Sequence, residues 1–247
     1  MQKLGKKSST PRLRTREHLS VPARLVPSRK TSTDSLSQRV YQALKRDIIT
    51  GVHPSGEALG EKDLARQYSS SRTPVREAAL RLQQDHLLKI IPNRGYFITK
   101  ISVQDLTDLY DYRAAVECAC AELAARKGMN PALLERLEEL ANTEYRISDR
   151  KSYENFIWKD TEFHLNIARL ARNHLLLQAV DAARCQMERI MYAAIDIGYY
   201  GELPGHEHRG ILDAIKKRDS HAARQLMYEH IFGSRDKVLQ LAGGHPR

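Results

Sequence analysis

The sequence predicts a mainly α protein in two parts: a small unit of three helices closed by a β-hairpin, then an antiparallel bundle of six to seven helices. Three observations carry this prediction. Strand-like runs fall in a short stretch near residue 90, while residues 103–241 read as almost continuous helix. The net charge of +10 is split unevenly along the chain. Turn signals fall at short intervals after residue 103, so that sequential helices are antiparallel neighbours.

At 247 residues the chain suffices for two modest domains, each with its own core. Residues 1–35 are rich in Lys, Arg, Ser, Thr and Pro and read as a disordered basic arm. "MQKLGKKSSTPRLRTR" lacks the apolar stretch of a secretory signal. A transit peptide would share its Arg/Ser-rich, acid-poor composition, but a disordered basic arm explains the same composition and is the preferred reading. No apolar run approaches the roughly 18 residues of a membrane span. Cys118, Cys120 and Cys185 are odd in number and form no C-x-x-C pair, which suits reduced packing residues in the cytoplasm.

Residues 1–37 carry nine Lys/Arg against two Asp/Glu, and residues 38–102 carry eleven against six. Residues 103–241 carry nineteen against twenty-two. A basic front and a slightly acidic back predict two jobs, the front facing a polyanion.

The first helix is read over "SLSQRVYQALKRDIITG", with Val40, Leu44 and Ile48 on one face and Gly51 as the stop. "VHPSGEALG" reads as a turn-rich connector. A short second helix, "EKDLARQYS", places Glu61 and Asp63 in its first turn. For the third helix Thr73 is read as N-cap and Pro74 as N1, with Val75, Ala79 and Leu82 facing the core and Arg72 and Arg76 facing out. "LLKII" and "YFIT" then flank "PNRG" as a hairpin, Gly95 supplying a positive φ. This order, over residues 36–102, is a winged helix-turn-helix. Its third helix would enter the major groove, where Arg grips guanine O6 and N7, and Arg94 would tip the wing.

Residues 38–102 resemble the DNA-binding domain of the GntR family of bacterial transcription regulators. The motifs are "SRTPVREA", the preceding E-x-x-LA and the following "RGYFI". The resemblance implies DNA contacts at Lys62, Ser71, Arg72, Thr73, Arg76 and around Gly95. Two departures stand out. The family commonly has Gly-Val where Ser69 and Ser70 stand, so the family's turn geometry does not carry over there directly; it has Gly where His86 stands, so that helix end is expected to be strained or built differently.

Residues 103–241 are read as helices at 103–127, 131–148, 151–171, 174–199, 204–218 and 220–241, with 242–247 as a flexible tail. Leu106, Leu109, Tyr110, Arg113 and Val116 share a face of the first. Asp160 and His164 lie at i and i+4; His208 aligns with Ile211, Leu212 and Ile215, and His230 with Ala223, Leu226 and Met227. Three imidazoles and a carboxylate directed inward suit a divalent transition ion, although a histidine on an apolar face is more often a core residue. His206 and His221 point elsewhere.

This part resembles the FCD effector-binding domain of the FadR-like branch of the same family. The resemblance implies metal ligands at Asp160, His164, His208 and His230, for zinc, nickel or manganese. It also implies a small carboxylate effector held in part by Arg113 and Asn173. Arg113 can equally pair with Glu117, and Asn173 can serve a plain turn. Tyr199 and Tyr200 either line the pocket or pack. The expected function is a cytoplasmic, nucleoid-associated regulator, a repressor in most members, binding a palindromic operator as a homodimer. A purely structural metal is the alternative. An enzyme is disfavoured, since H-E-x-x-H is absent and no general base can be placed.

Overall fold

The computed structural model describes residues 35–128, 130–196 and 205–243. The basic arm, Tyr199 and Tyr200 therefore lie outside the described residues, as does the His206 side chain.

Helix α1 (Leu36–Ile49) starts at Ser35, whose hydroxyl accepts from the Gln38 N–H, and ends before Gly51 at φ +76°. Its Val40, Leu44 and Ile48 are buried, as their four-residue spacing requires. Strand β1 (Ala58–Leu59) and α2 (Glu61–Gln67) follow. Helix α3 (Arg72–Gln84) buries Val75, Ala78, Ala79 and Leu82 against α1 and α2. Strands β2 (Leu88–Ile91) and β3 (Gly95–Ile98) pair antiparallel, Ile91 opposite Gly95, and β1 adds to the far edge of β3 in the order β1-β3-β2. β1 went unread because two residues show no periodicity and their pairing spans about forty positions.

One boundary needs correction. The N-cap of α3 is Ser71, in extended conformation, so Thr73 and Pro74 lie inside the first turn. Proline is tolerated there because the first N–H groups of a helix have no intrahelical partner anyway. Ser71 makes no side-chain cap bond.

Both departures from the family pattern are accommodated by left-handed residues. His86 sits at φ +58° just past α3, with Leu87 N–H bonding Leu82 O at 2.9 Å and His86 N–H bonding Gln83 O at 3.1 Å. Ser69, at φ +47°, closes α2 the same way, Ser70 N–H reaching Ala65 O at 2.8 Å. This is the double bond of a glycine-ended helix carried by residues with a Cβ. An L-residue there costs about 1–2 kcal/mol, partly offset by glycine's larger unfolded-state entropy of about 0.5–1 kcal/mol. His86→Gly is expected to raise the melting temperature by a few degrees. An unchanged or lower value in a thermal melt contradicts this.

The second part holds α4 (Val103–Lys127), α5 (Pro131–Ala141), α6 (Arg150–Leu170), α7 (His174–Asp196), α8 (Gly205–Lys216) and α9 (Ser220–Gly243). A reciprocal capping box between Ser102 and Asp105 starts α4 directly after the head. Helices α4, α6, α8 and α9 bury a shared core that includes Tyr110, Ala121, Phe163, Ile211, Ile215, Met227 and Ile231. The three cysteines are free and buried. Helix α5 stops at Ala141, short of the expected 148. Leaving the helix lets Tyr145 turn inward against Tyr153 and Phe156, each 4.8 Å away between ring centroids. Helix α9 continues two residues past the expected boundary.

Helix α7 joins the parts. Cys185 lies in the core of the winged head, and Gln186 Nε2 donates to Asp85 O at 2.8 Å. The buried Arg189 guanidinium donates to Thr99 Oγ1 at 2.9 Å, to the Thr99 carbonyl, and to Ser55 Oγ at 2.8 Å.

Candidate metal centre and nucleic-acid interface

Asp160 and His164 project from adjacent turns of α6, His208 from α8 and His230 from α9. Packing these three helices brings one ligand atom from each residue within 4.8 Å of the others. His208 Nε2 lies 3.3 Å and His164 Nε2 3.8 Å from Asp160 Oδ1. An ion bonded at about 2.0–2.2 Å to each would sit inside such a set with small adjustments. All four side chains are buried.

A second ring of charges aims these ligands. The Glu117 carboxylate closes on His164 Nδ1, and Glu207 Oε2 meets His230 Nδ1 at 2.7 Å. Occupying Nδ1 assigns the proton there and turns the Nε2 lone pair toward the cluster. Arg184 donates to Asp160 Oδ2 and, at 3.2 Å, to Thr161 Oγ1, which leaves Oδ1 for the cluster. Arg113 in turn holds Glu117, Nε to Oε1 at 2.7 Å, with both side chains almost fully buried. Phe163 stacks on His208 at 4.1 Å.

The electrostatics leave the set ready to bind a cation. Burial drives the His164 imidazole down to about 3, keeping it neutral. Burial also lowers His230. Burial would raise the Asp160 carboxyl, but the Arg184 charge beside it holds it well below the usual carboxylate range. Burial would raise Glu117 too, but Arg113 and the contact with His164 together hold it low. Asp160, His164 and His230 are thus biased toward the forms a metal requires, carboxylate and neutral imidazole. The Nε2 atoms of His164 and His208 are buried without a hydrogen-bond partner. A buried polar atom left so is costly, and an ion bonded to both would remove the deficit. The residues therefore fit a divalent ion.

A cavity of about 80 Å³ opens onto Asp160 and His230. Arg113 and Arg184 border it, and Tyr145, Tyr153 and Phe156 form an apolar wall. Arg113 makes the expected pair with Glu117 and also borders the cavity. Asn173 does not line the cavity; its Oδ1 accepts from the N–H groups of Leu175 (3.0 Å) and Leu176 (3.2 Å), starting α7. Arg184 and Glu207 went unread as site residues. Arg184 was detectable as a charge inside the apolar stripe of Val180, Ala183 and Met187.

On the winged head, Lys62, Ser71, Arg72, Thr73, Arg76 and Arg94 are all exposed, and Gly95 is half-buried at the wing, at φ +97°. A groove between α3 and the hairpin is bordered by Lys62, Arg72, Arg76 and residues 90–93. One acidic residue lies in it. Glu61 accepts from Arg76 Nε at 2.7 Å and from Tyr96 Oη at 3.3 Å, and pairs with Arg72 Nε at 3.8 Å. The Arg76 bond holds the Glu61 carboxyl below its usual range. Among the described residues no helix is long and apolar enough to cross a membrane.

Comparison with known proteins agrees with this two-part arrangement. The family described as "Bacterial regulatory proteins, gntR family" matches residues 36–98, and "FCD domain" matches residues 108–233. The HTH-type transcriptional repressor RspR of Escherichia coli K12 is 28% identical over 216 residues, covering 87% of this chain and 94% of that protein. The Uxu operon regulator of Haemophilus influenzae is 26% identical over 221 residues, covering 83% and 82%. A GntR regulator of Rhodococcus sp. RHA1 superposes with a TM-score of 0.67 at 26% identity, covering 86% of this chain and all of that one. Escherichia coli McbR/YncC shares the fold, with a TM-score of 0.68 at 21% identity. A winged head of this motif set, followed by a helical domain of this type over half the chain, makes the protein a member of the GntR family of bacterial transcription regulators, built with an FCD domain and not an enzyme.

Proposed function

We propose that the protein is a metabolite-responsive repressor, acting in the cytoplasm as a homodimer on a palindromic operator. Its helical domain would hold a divalent metal and a small organic acid. The observation that carries this reading is the convergence of Asp160, His164, His208 and His230, two of them with partnerless buried nitrogens. A divalent ion there would supply a Lewis-acid position for one carboxylate oxygen of the effector. Arg113 and Arg184 border the same cavity and supply positive charge for the rest of the anion. The cavity is smaller than the roughly 150 Å³ that accepts benzene, which favours effectors of a few heavy atoms. Its opening onto Asp160 and His230 favours a sensing metal over a purely structural one.

Signal would pass along α7. Arg184 grips the metal ligand Asp160, while Arg189 on the same helix grips the head at Thr99 and Ser55. A shift at Asp160 thus biases how each head is held, and in a two-fold dimer this sets the spacing of the two reading helices. Arg72, Thr73 and Arg76 would read bases, with Lys62, Ser71 and the wing at Arg94 and Gly95 on the backbone.

The test uses a duplex that the protein itself selects from a random library. Fluorescence anisotropy is measured on chelator-stripped protein, then with zinc, nickel or manganese, then with two- to four-carbon carboxylates. Metal is expected to raise the melting temperature, and metal plus one of the acids to weaken DNA binding at least tenfold. If no metal binds and no acid changes the affinity, the reading fails.

A further inference from the structure

Recognition helices carry cations, yet the groove of this head has a carboxylate, Glu61, among its lining residues. Glu61 stands in the first turn of α2, is braced by the Tyr96 hydroxyl from β3, accepts a hydrogen bond from Arg76 Nε at 2.7 Å and lies in ion-pair range of Arg72 Nε at 3.8 Å, both on α3. Three elements thus converge on one negative charge in the surface that should face a polyanion. Pairs between exposed groups add little to folding stability, so a purely structural role gives this arrangement little to do. Both arginine side chains are more than half exposed.

We infer that Glu61 is a positioning residue that sets sequence specificity: it holds Arg72 and Arg76 by their Nε edges and penalises DNA that does not satisfy both. The inference rests on this face being the one that meets DNA. A guanidinium gripped at Nε presents its Nη1/Nη2 end outward, the fork that matches guanine O6 and N7. On a matching sequence both arginines reach their bases while still paired, and the Glu61 charge stays neutralised. On random DNA the arginines gain most by turning to phosphates. Turning breaks the Nε contacts and leaves a carboxylate bare against the phosphate backbone. Glu61 therefore weakens non-specific binding more than specific binding.

The experiment compares wild type, Glu61→Gln and Arg76→Ala on the library-selected duplex and on a shuffled duplex of equal length, across a salt series. Thermal melts establish that each variant is folded. Glu61→Gln keeps the size of the side chain and removes its charge. It is expected to bind shuffled DNA roughly tenfold tighter, with a salt slope steeper by about one, while changing selected-duplex binding less than threefold. The selected-to-shuffled ratio then falls about tenfold, which a merely structural role would not produce. A ratio within twofold of wild type, with Arg76→Ala abolishing it, overturns the role of Glu61 and leaves the DNA face intact. A ratio unmoved by Arg76→Ala overturns both.

Discussion

Replacing Arg113 by methionine is expected to lower the melting temperature by roughly 10 °C. Arg113 and Glu117 lie one turn apart on α4, each almost wholly removed from water, and are joined Nε to Oε1 at 2.7 Å. Removing the cation leaves a carboxylate in the bundle core with His164 as its remaining close partner, and His164 is neutral. Breaking a buried pair from one side costs about 3–5 kcal/mol, and for a chain of this size each kcal/mol moves the midpoint by about 2–4 °C. The paired replacement Arg113→Met with Glu117→Leu removes both charges and should recover most of the loss, since an apolar pair of similar volume is tolerated there. The recovered variant should still bind metal more weakly, because His164 has lost the carboxylate that orients it. Differential scanning calorimetry checks both variants. A single variant within about 1 kcal/mol of wild type would mean that water or backbone movement satisfies Glu117 alone.

The second large effect is expected at Arg189. Arg189→Met keeps length and apolar contact but removes the donors to Thr99 and Ser55. Hydrogen bonds from a charged group contribute about 1.5–3 kcal/mol each, so the head loses its firmest polar tie to α7. Metal uptake should be unchanged, because no ligand has been touched. The metal- and acid-dependent change in DNA affinity should shrink to within twofold. Hydrogen exchange in the segment around Thr99 should accelerate. A variant with a full response would show that coupling runs through α4, which follows the head directly from its Ser102 cap, and not through α7.

The sequence-level reading succeeded where neighbours along the chain decide the outcome. The apolar spacing of Val40, Leu44 and Ile48 specifies the buried face of α1 whatever that face packs on. Gly95 marks the wing because it takes positive φ without steric cost, and the structure has it at +97°. Asp160 and His164 share a face by the geometry of any α-helix. Helix ends were less legible. Ser71 and Thr73 are both good caps, and the choice between them depends on how α3 meets α2. His86 looked unsuited to a left-handed turn, yet adopts one, because core contacts of Leu82 and Leu87 on either side outweigh a local strain of about 1–2 kcal/mol.

By itself the chain determined its elements, its basic reading helix and a set of inward histidines, because periodicity, turn preference and charge act between near neighbours. Only the tertiary structure decided what those groups face. Asp160 meets His208 and Arg184 across helices, Glu61 lies between two arginines of another helix, and Arg189 reaches the head ninety residues away from Thr99 in sequence. Burial makes those pairings matter, since charges removed from water must be matched by whatever the packing brings beside them.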